Sequence, residues 1–222
     1  MSKKFVNLKI DIEADPDNLA AYKKYSRSPG VPAVAFVDFE GNLISEPPIN
    51  LAFDPEKFVL EMEKTLEVEE DLKRLNAKLG ENPNDPEANA QIALIYLKRN
   101  NLEKGSPLAD KAFNLDPENR TGHLPELHIS LGLYYGNHID DENAEEYFQK
   151  AESHFKAVIE QYSDSKDHEP AHYYLAVIYV AQEMYDQAIP LLEKLSDTSD
   201  ADTRTAAMQM LQIAREEANT RK

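Results

Sequence analysis

Three stretches decide how this chain folds: Glu87-Ala88-Asn89-Ala90-Gln91-Ile92-Ala93-Leu94-Ile95-Tyr96, Leu127-His128-Ile129-Ser130-Leu131-Gly132-Leu133-Tyr134-Tyr135 and Ala171-His172-Tyr173-Tyr174-Leu175-Ala176-Val177-Ile178-Tyr179. Each carries a large residue, then a small one, then a tyrosine one turn on: Ile92/Ala93/Tyr96, Leu131/Gly132/Tyr135 and Leu175/Ala176/Tyr179. A small residue is needed where two paired helices cross closely, and the large one fills the space beside it. The tyrosine adds apolar area and a polar handle. Each stretch is followed by a second small-or-bulky stripe at helical spacing: Gly105, Ala109 and Ala112; Ala151, Phe155 and Val158; Ala188, Leu192 and Leu195. Three such pairs read as helical hairpins stacked in series, each burying its face on the next.

The matched positions and the Leu115-Asp116-Pro117 stop resemble the tetratricopeptide repeat. The leading residues lie 39 and 44 positions apart, against about 34 in that family. The surplus in the second repeat falls around Asp140-Asp141-Glu142-Asn143-Ala144-Glu145-Glu146, which reads as a longer second helix with an acidic first turn. Residues 202–218 read as a capping helix whose apolar line is Ala206, Met210, Ile213 and Ala214, with Arg204, Arg215, Glu216 and Glu217 facing water.

Upstream the pattern changes. Phe5-Val6-Asn7-Leu8-Lys9-Ile10-Asp11-Ile12 alternates as a strand does. Asp15-Pro16-Asp17 opens a helix and Ser28-Pro29-Gly30 ends it. Residues 33–37 read as a second strand, Asp38-Phe39-Glu40-Gly41-Asn42 as a turn, and Leu43-Ile44 as its partner strand. Asp54-Pro55-Glu56 starts a helix bearing Phe58, Met62 and Leu66, and its apolar spacing continues through Leu72, Leu75 and Leu79.

This order, with Gly30-Val31-Pro32 before the second strand, resembles the C-terminal half of a thioredoxin fold. The resemblance implies a cis bond before Pro32, with the Val31 backbone open to a bound polypeptide. The Cys-x-x-Cys half of that fold has no counterpart here, and the family's strand order puts the missing strand in the middle of the sheet. Three explanations stand: a fragment of a longer protein or a mis-called start, a degenerate domain that repacks its strands, or another chain filling the gap. The expected architecture is α+β: a partial thioredoxin-like α/β segment over residues 1–66, then an all-α repeat solenoid over 67–222 with about three repeats and a C-terminal cap.

Composition narrows function. The 24 basic and 41 acidic side chains give a net charge of −17, with −3 on residues 1–66 and −14 on 67–222. That balance excludes a phosphate-backbone partner, whose affinity comes from Lys and Arg, and an anionic membrane surface. No apolar run reaches the ~20 residues of a span. With no cysteine, thiolate catalysis, disulfides and Cys-based metal sites are excluded for these 222 residues. Soluble and cytoplasmic is the expectation for the chain as it stands, and periplasmic or exported if a segment precedes it.

His168-Glu169-Pro170-Ala171-His172 matches H-E-x-x-H as a string, but Pro170 marks a first helical turn and leaves His168 in the preceding loop. His128 reads as a packing residue facing the repeat interior. No cofactor and no metal are expected, because phosphate loops and catalytic triads are missing from the sequence. What the repeat resemblance implies is a concave groove lined by Ala90 and Leu94, Ile129 and Leu133, Tyr173 and Val177. Relatives that clamp a peptide carboxylate use Lys and Asn there; this chain has neither. Two roles are open for the six: taking a protein or peptide segment with basic flanks, or packing against the chain's own helices. The function expected is a non-enzymatic interaction scaffold carrying a redox-inactive thioredoxin-like remnant. The alternative is the C-terminal piece of a thiol-disulfide oxidoreductase whose repeats position protein substrates.

Overall fold

A computed structural model describes residues 5–6, 8–26 and 30–220. The chain forms two compact units, Met1–Glu81 and Asn82–Lys222.

In the first unit, α1 (Pro16–Tyr25) begins where the sequence places it, with Asp15 accepting from the Asp17 N–H at 2.8 Å and Pro at the helix start. It stops at Tyr25, and Ser26 N–H donates to Tyr22 O. The expected Ser28-Pro29 stop lies outside the described residues, as does Asn7. β1 (Phe36–Val37) and β2 (Leu43–Ser45) pair antiparallel, Phe36 with Ser45 and Val37 with Leu43. Their turn is held by Asp38 Oδ1, which accepts from the Glu40 and Asn42 N–H groups. Gly41 supplies the φ of +78° that the turn requires. The Val31–Pro32 bond is cis. A 3-10 turn over Ile49–Phe53 precedes α2 (Pro55–Glu81), a 27-residue helix. The core is a small aromatic stack: Phe36 sits between Phe5 and Phe58, at 5.4 and 5.9 Å.

The strand expected over Phe5–Ile12 does not form. Its described residues are irregular, with Val6 99% and Leu8 80% exposed. Alternation gives a segment one apolar face, but a strand also needs a neighbour for its N–H and C=O groups. The strand expected over residues 33–37 is cut to two residues. Among the described residues the sheet has two strands, so a thioredoxin-like sheet is not assembled. The boundary drawn at 66/67 falls inside α2, which continues unbroken to Glu81.

The second unit is helical throughout its regular structure. α3 (Pro86–Lys98) and α4 (Leu102–Leu115), α5 (Leu124–Asn137) and α6 (Ala144–Gln161), and α7 (His168–Ala181) and α8 (Tyr185–Leu195) are three antiparallel hairpins, followed by α9 (Ala201–Thr220). Asp85 and Asn101 cap α3 and α4 through the Ala88 and Lys104 N–H groups. The large and small members of each trio are buried, and so are Tyr135 and Tyr179. Gly132 explains why small residues are demanded: a Cβ there would lie 2.6 Å from a Phe155 ring carbon. Gly105 faces Leu97 in the same way, at 2.9 Å.

The Leu-Asp-Pro stop is a polar staple between the first two hairpins. Buried Asp116 accepts from Arg120 N–H, Thr121 N–H and Thr121 Oγ1 at 2.7–2.8 Å. The surplus of the second repeat divides between a turn at residues 140–143 and an 18-residue α6 with Glu145 and Glu146 in its first turn.

Two details differ from expectation. His168 is the first residue of α7 rather than part of the loop, because a proline at the third position still sits where N–H groups have no intrahelical acceptor. The buried line of α9 is Ala207, Leu211 and Ala214, while Ile213 stays 47% exposed. Ala207, Leu211 and Ala214 keep the i, i+4, i+7 spacing of one helix face, and Ile213 does not share it.

Candidate interaction surface

The first helices of the hairpins, α3, α5 and α7, are consecutive neighbours, α3 on α5 and α5 on α7. Each carries one i, i+4 pair of the six residues expected to line a groove, so each pair shares a helix face. Ala90, Leu94 and Ile129 are buried at 0, 6 and 8% exposure. Leu133, Tyr173 and Val177 are half-buried, the first two resting on the core and Tyr173 edge-on to Tyr174 at 5.8 Å. The exposed apolar area therefore grows from α3 toward α7.

Polar contacts set the spacing of the first two repeats. Lys98 Nζ donates to Glu126 Oε1 at 2.8 Å, and Gln91 Nε2 lies 3.3 Å from His123 Nε2. Burial pushes the Glu126 carboxyl up, but the Lys98 ammonium outweighs it and leaves the group below the usual carboxylate range. At the helix-to-helix turn, His138 stacks on Tyr134 at 4.3 Å and approaches Asn100 Nδ2 at 2.9 Å.

The H-E-x-x-H string is spent on packing. His172 Nδ1 meets His168 O at 3.0 Å, its Nε2 meets Lys194 Nζ at 3.3 Å, and Glu169 accepts from Thr198 Oγ1 at 2.6 Å. Both nitrogens of the buried His172 are thus engaged. Among the described residues no cluster of three or more His, Asp or Glu side chains could hold a metal ion. No helix among them is long and apolar enough to cross a membrane.

His128 does face the interior, where it meets His154 of α6, Nδ1 to Nδ1, at 2.9 Å. Sequence reasoning missed His154. The signal was present: Ala151, His154, Phe155 and Val158 form one i, i+3, i+4, i+7 stripe, as do Leu124, Leu127, His128 and Leu131 on α5. Burial, followed by its partner ring for His128 and by Lys150 for His154, lowers both imidazoles from 6.5 to about 4.

The family model for the tetratricopeptide repeat matches residues 143–217. A tetratricopeptide repeat lies there. The matched region runs from the Asn143 cap of α6 through the third hairpin into α9, and it contains the Leu175/Ala176/Tyr179 trio with its partners Ala188, Leu192 and Leu195. The two upstream trios lie outside the matched tetratricopeptide segment. A search of curated proteins finds no match to the chain.

Proposed function

We propose that the protein is a non-enzymatic interaction scaffold, and that the α3–α5–α7 face takes the apolar side of a helical or extended protein segment flanked by basic residues. The observation that carries this reading is the half-exposed trio Leu133, Tyr173 and Val177, which adjoins the buried Ala90, Leu94 and Ile129 on consecutive first helices. A tetratricopeptide repeat is a protein-binding architecture, and its parallel first helices form a surface suited to a linear segment. Charge selects the partner. Residues 82–222 carry 13 basic and 25 acidic side chains, so Lys and Arg beside the apolar anchor gain attraction and association is salt-sensitive. Without cysteine the chain cannot carry out dithiol chemistry.

The test uses the full chain and a fluorescent amphipathic peptide of about 18 residues, made with Lys/Arg flanks and again with Glu flanks. The basic-flanked peptide binds, and added salt slows its association. Leu133→Glu and Val177→Glu retain the wild-type far-ultraviolet circular dichroism and weaken binding by at least about tenfold, as expected for a charge set against an apolar anchor. A folded Val177→Glu protein that binds as the wild type does, or equal binding of both peptides, removes the groove as the site.

A further inference from the structure

Two imidazoles meet between the two helices of the second repeat, on the side that faces α4 of the first. His128 of α5 and His154 of α6 touch through Nδ1 at 2.9 Å, with ring centroids 5.2 Å apart. Phe113 of α4 stacks on His128 at 4.4 Å, and Tyr162 lies 6.0 Å from it. Tyr135 stacks on His154, 3° from parallel, at 5.9 Å. The pair therefore ties α4 of the first hairpin to both helices of the second.

The Nδ1–Nδ1 contact holds one proton. One ring donates and the other accepts, which requires both to be neutral or only one to be charged through its far nitrogen. A proton on the accepting Nδ1 breaks the bond and points two N–H groups at each other. Two charged rings at this separation repel strongly in surroundings this apolar.

The neighbouring charges do not offset that cost. On α6, Lys150 repels a charge on His154; it lies over the Tyr135 and Tyr147 rings and is paired to Glu146 at 2.6 Å. On α4, Asp110 acts on Tyr135 rather than on either imidazole. Asp116, beyond the end of α4, acts on Tyr162 and is already filled by Arg120 and Thr121. On α5 the facing titratable group is the Tyr135 phenol, itself pushed up by burial.

We propose that His128 and His154 form an acid-sensitive joint between the two helices of the second repeat, beside α4 of the first, closed while both rings are neutral and forced apart when both are protonated. The direction follows from linkage. The closed state takes protons only near pH 4, whereas open rings take them near 6.5. The joint is at full strength above about pH 6.5 and weakens as pH falls toward 4.

Imidazole NMR of the wild-type full chain gives the first test. Both rings keep the neutral signature below pH 6, until the amides of α5 and α6 lose exchange protection. The second test is urea unfolding at pH 7 and pH 5, compared with a His128→Phe/His154→Leu double variant in which neither ring is left without its partner. The pH-dependent rise in the unfolding constant is at least about tenfold larger in the wild type, given two groups each lowered by this much. A midpoint of 6 or above for either histidine in the folded wild type overturns the proposal, and that reading stands even if the double variant fails to fold. Equal acid sensitivity in a folded double variant overturns it as well.

Discussion

Of the thirteen large apolar side chains exposed among the described residues, eleven lie in Met1–Glu81 and two, Met208 and Ile213, in Asn82–Lys222. The buried apolar side chains divide the other way: Phe36, Met62 and Leu75 in the first unit, and the remainder of the core in the second. Both regions have apolar residues with clear periodicity, so hydrophobic content does not separate them. What separates them is the distance to a partner. Each helical hairpin finds its partner within about 40 residues and satisfies its backbone internally. A strand gains nothing until a second strand is brought alongside, and that closure costs entropy before any contact repays it.

The largest test of this contrast is to separate the units. Residues 82–222 expressed alone should melt cooperatively and keep their helical circular dichroism. Residues 1–81 alone should lose signal gradually, with rapid amide exchange over residues 8–12. A cooperative melt of residues 1–81 would show that the short hairpin and α2 make a core of their own.

A pair of phenylalanines gives the next largest effect. Phe155 is 1% exposed and Phe39 is 97% exposed. Phe155→Ala should cost about 3–5 kcal/mol in urea unfolding, and Phe39→Ala less than about 0.5 kcal/mol. Similar losses at both would mean that Phe39 is covered in solution.

Much of the second unit was legible because its signals are local. The three trios, their second-helix partners and the Leu115-Asp116-Pro117 stop all lie where hairpins and a staple form. The alternation of residues 5–12 misled, because period two reports a face and says nothing of an edge. The first turn of α7 misled in a smaller way: proline is tolerated at its third position as well as its first. His154 escaped because its meaning depends on a residue 26 positions away on another helix. The repeat resemblance singled out the six candidate groove residues, but nothing in it divides them into buried and half-buried members.

The smallest predicted effect sharpens the end of the repeat unit. Leu211 is 8% exposed on α9 and Ile213 is 47% exposed. Leu211→Ala should cost about 2–5 kcal/mol, whereas Ile213→Ala should shift stability by about 0.5 kcal/mol or less. The reverse order would restore the capping line that the sequence pattern suggested.

The close approach at Gly132 bears on how these hairpins can change over generations. In the second repeat a glycine on the first helix stands against the largest fully buried side chain of the second, Gly132 with Phe155. At the equivalent positions the third repeat has Ala176 with Leu192, and the first has Ala93 with Ala109. A methyl added on one side has to be surrendered on the other, because the interior has no slack to absorb it. The two helices of a hairpin are therefore a single heritable unit. Gly132→Ala alone is a lesion, while Gly132→Ala with Phe155→Leu only rewrites the second repeat in the third repeat's dialect.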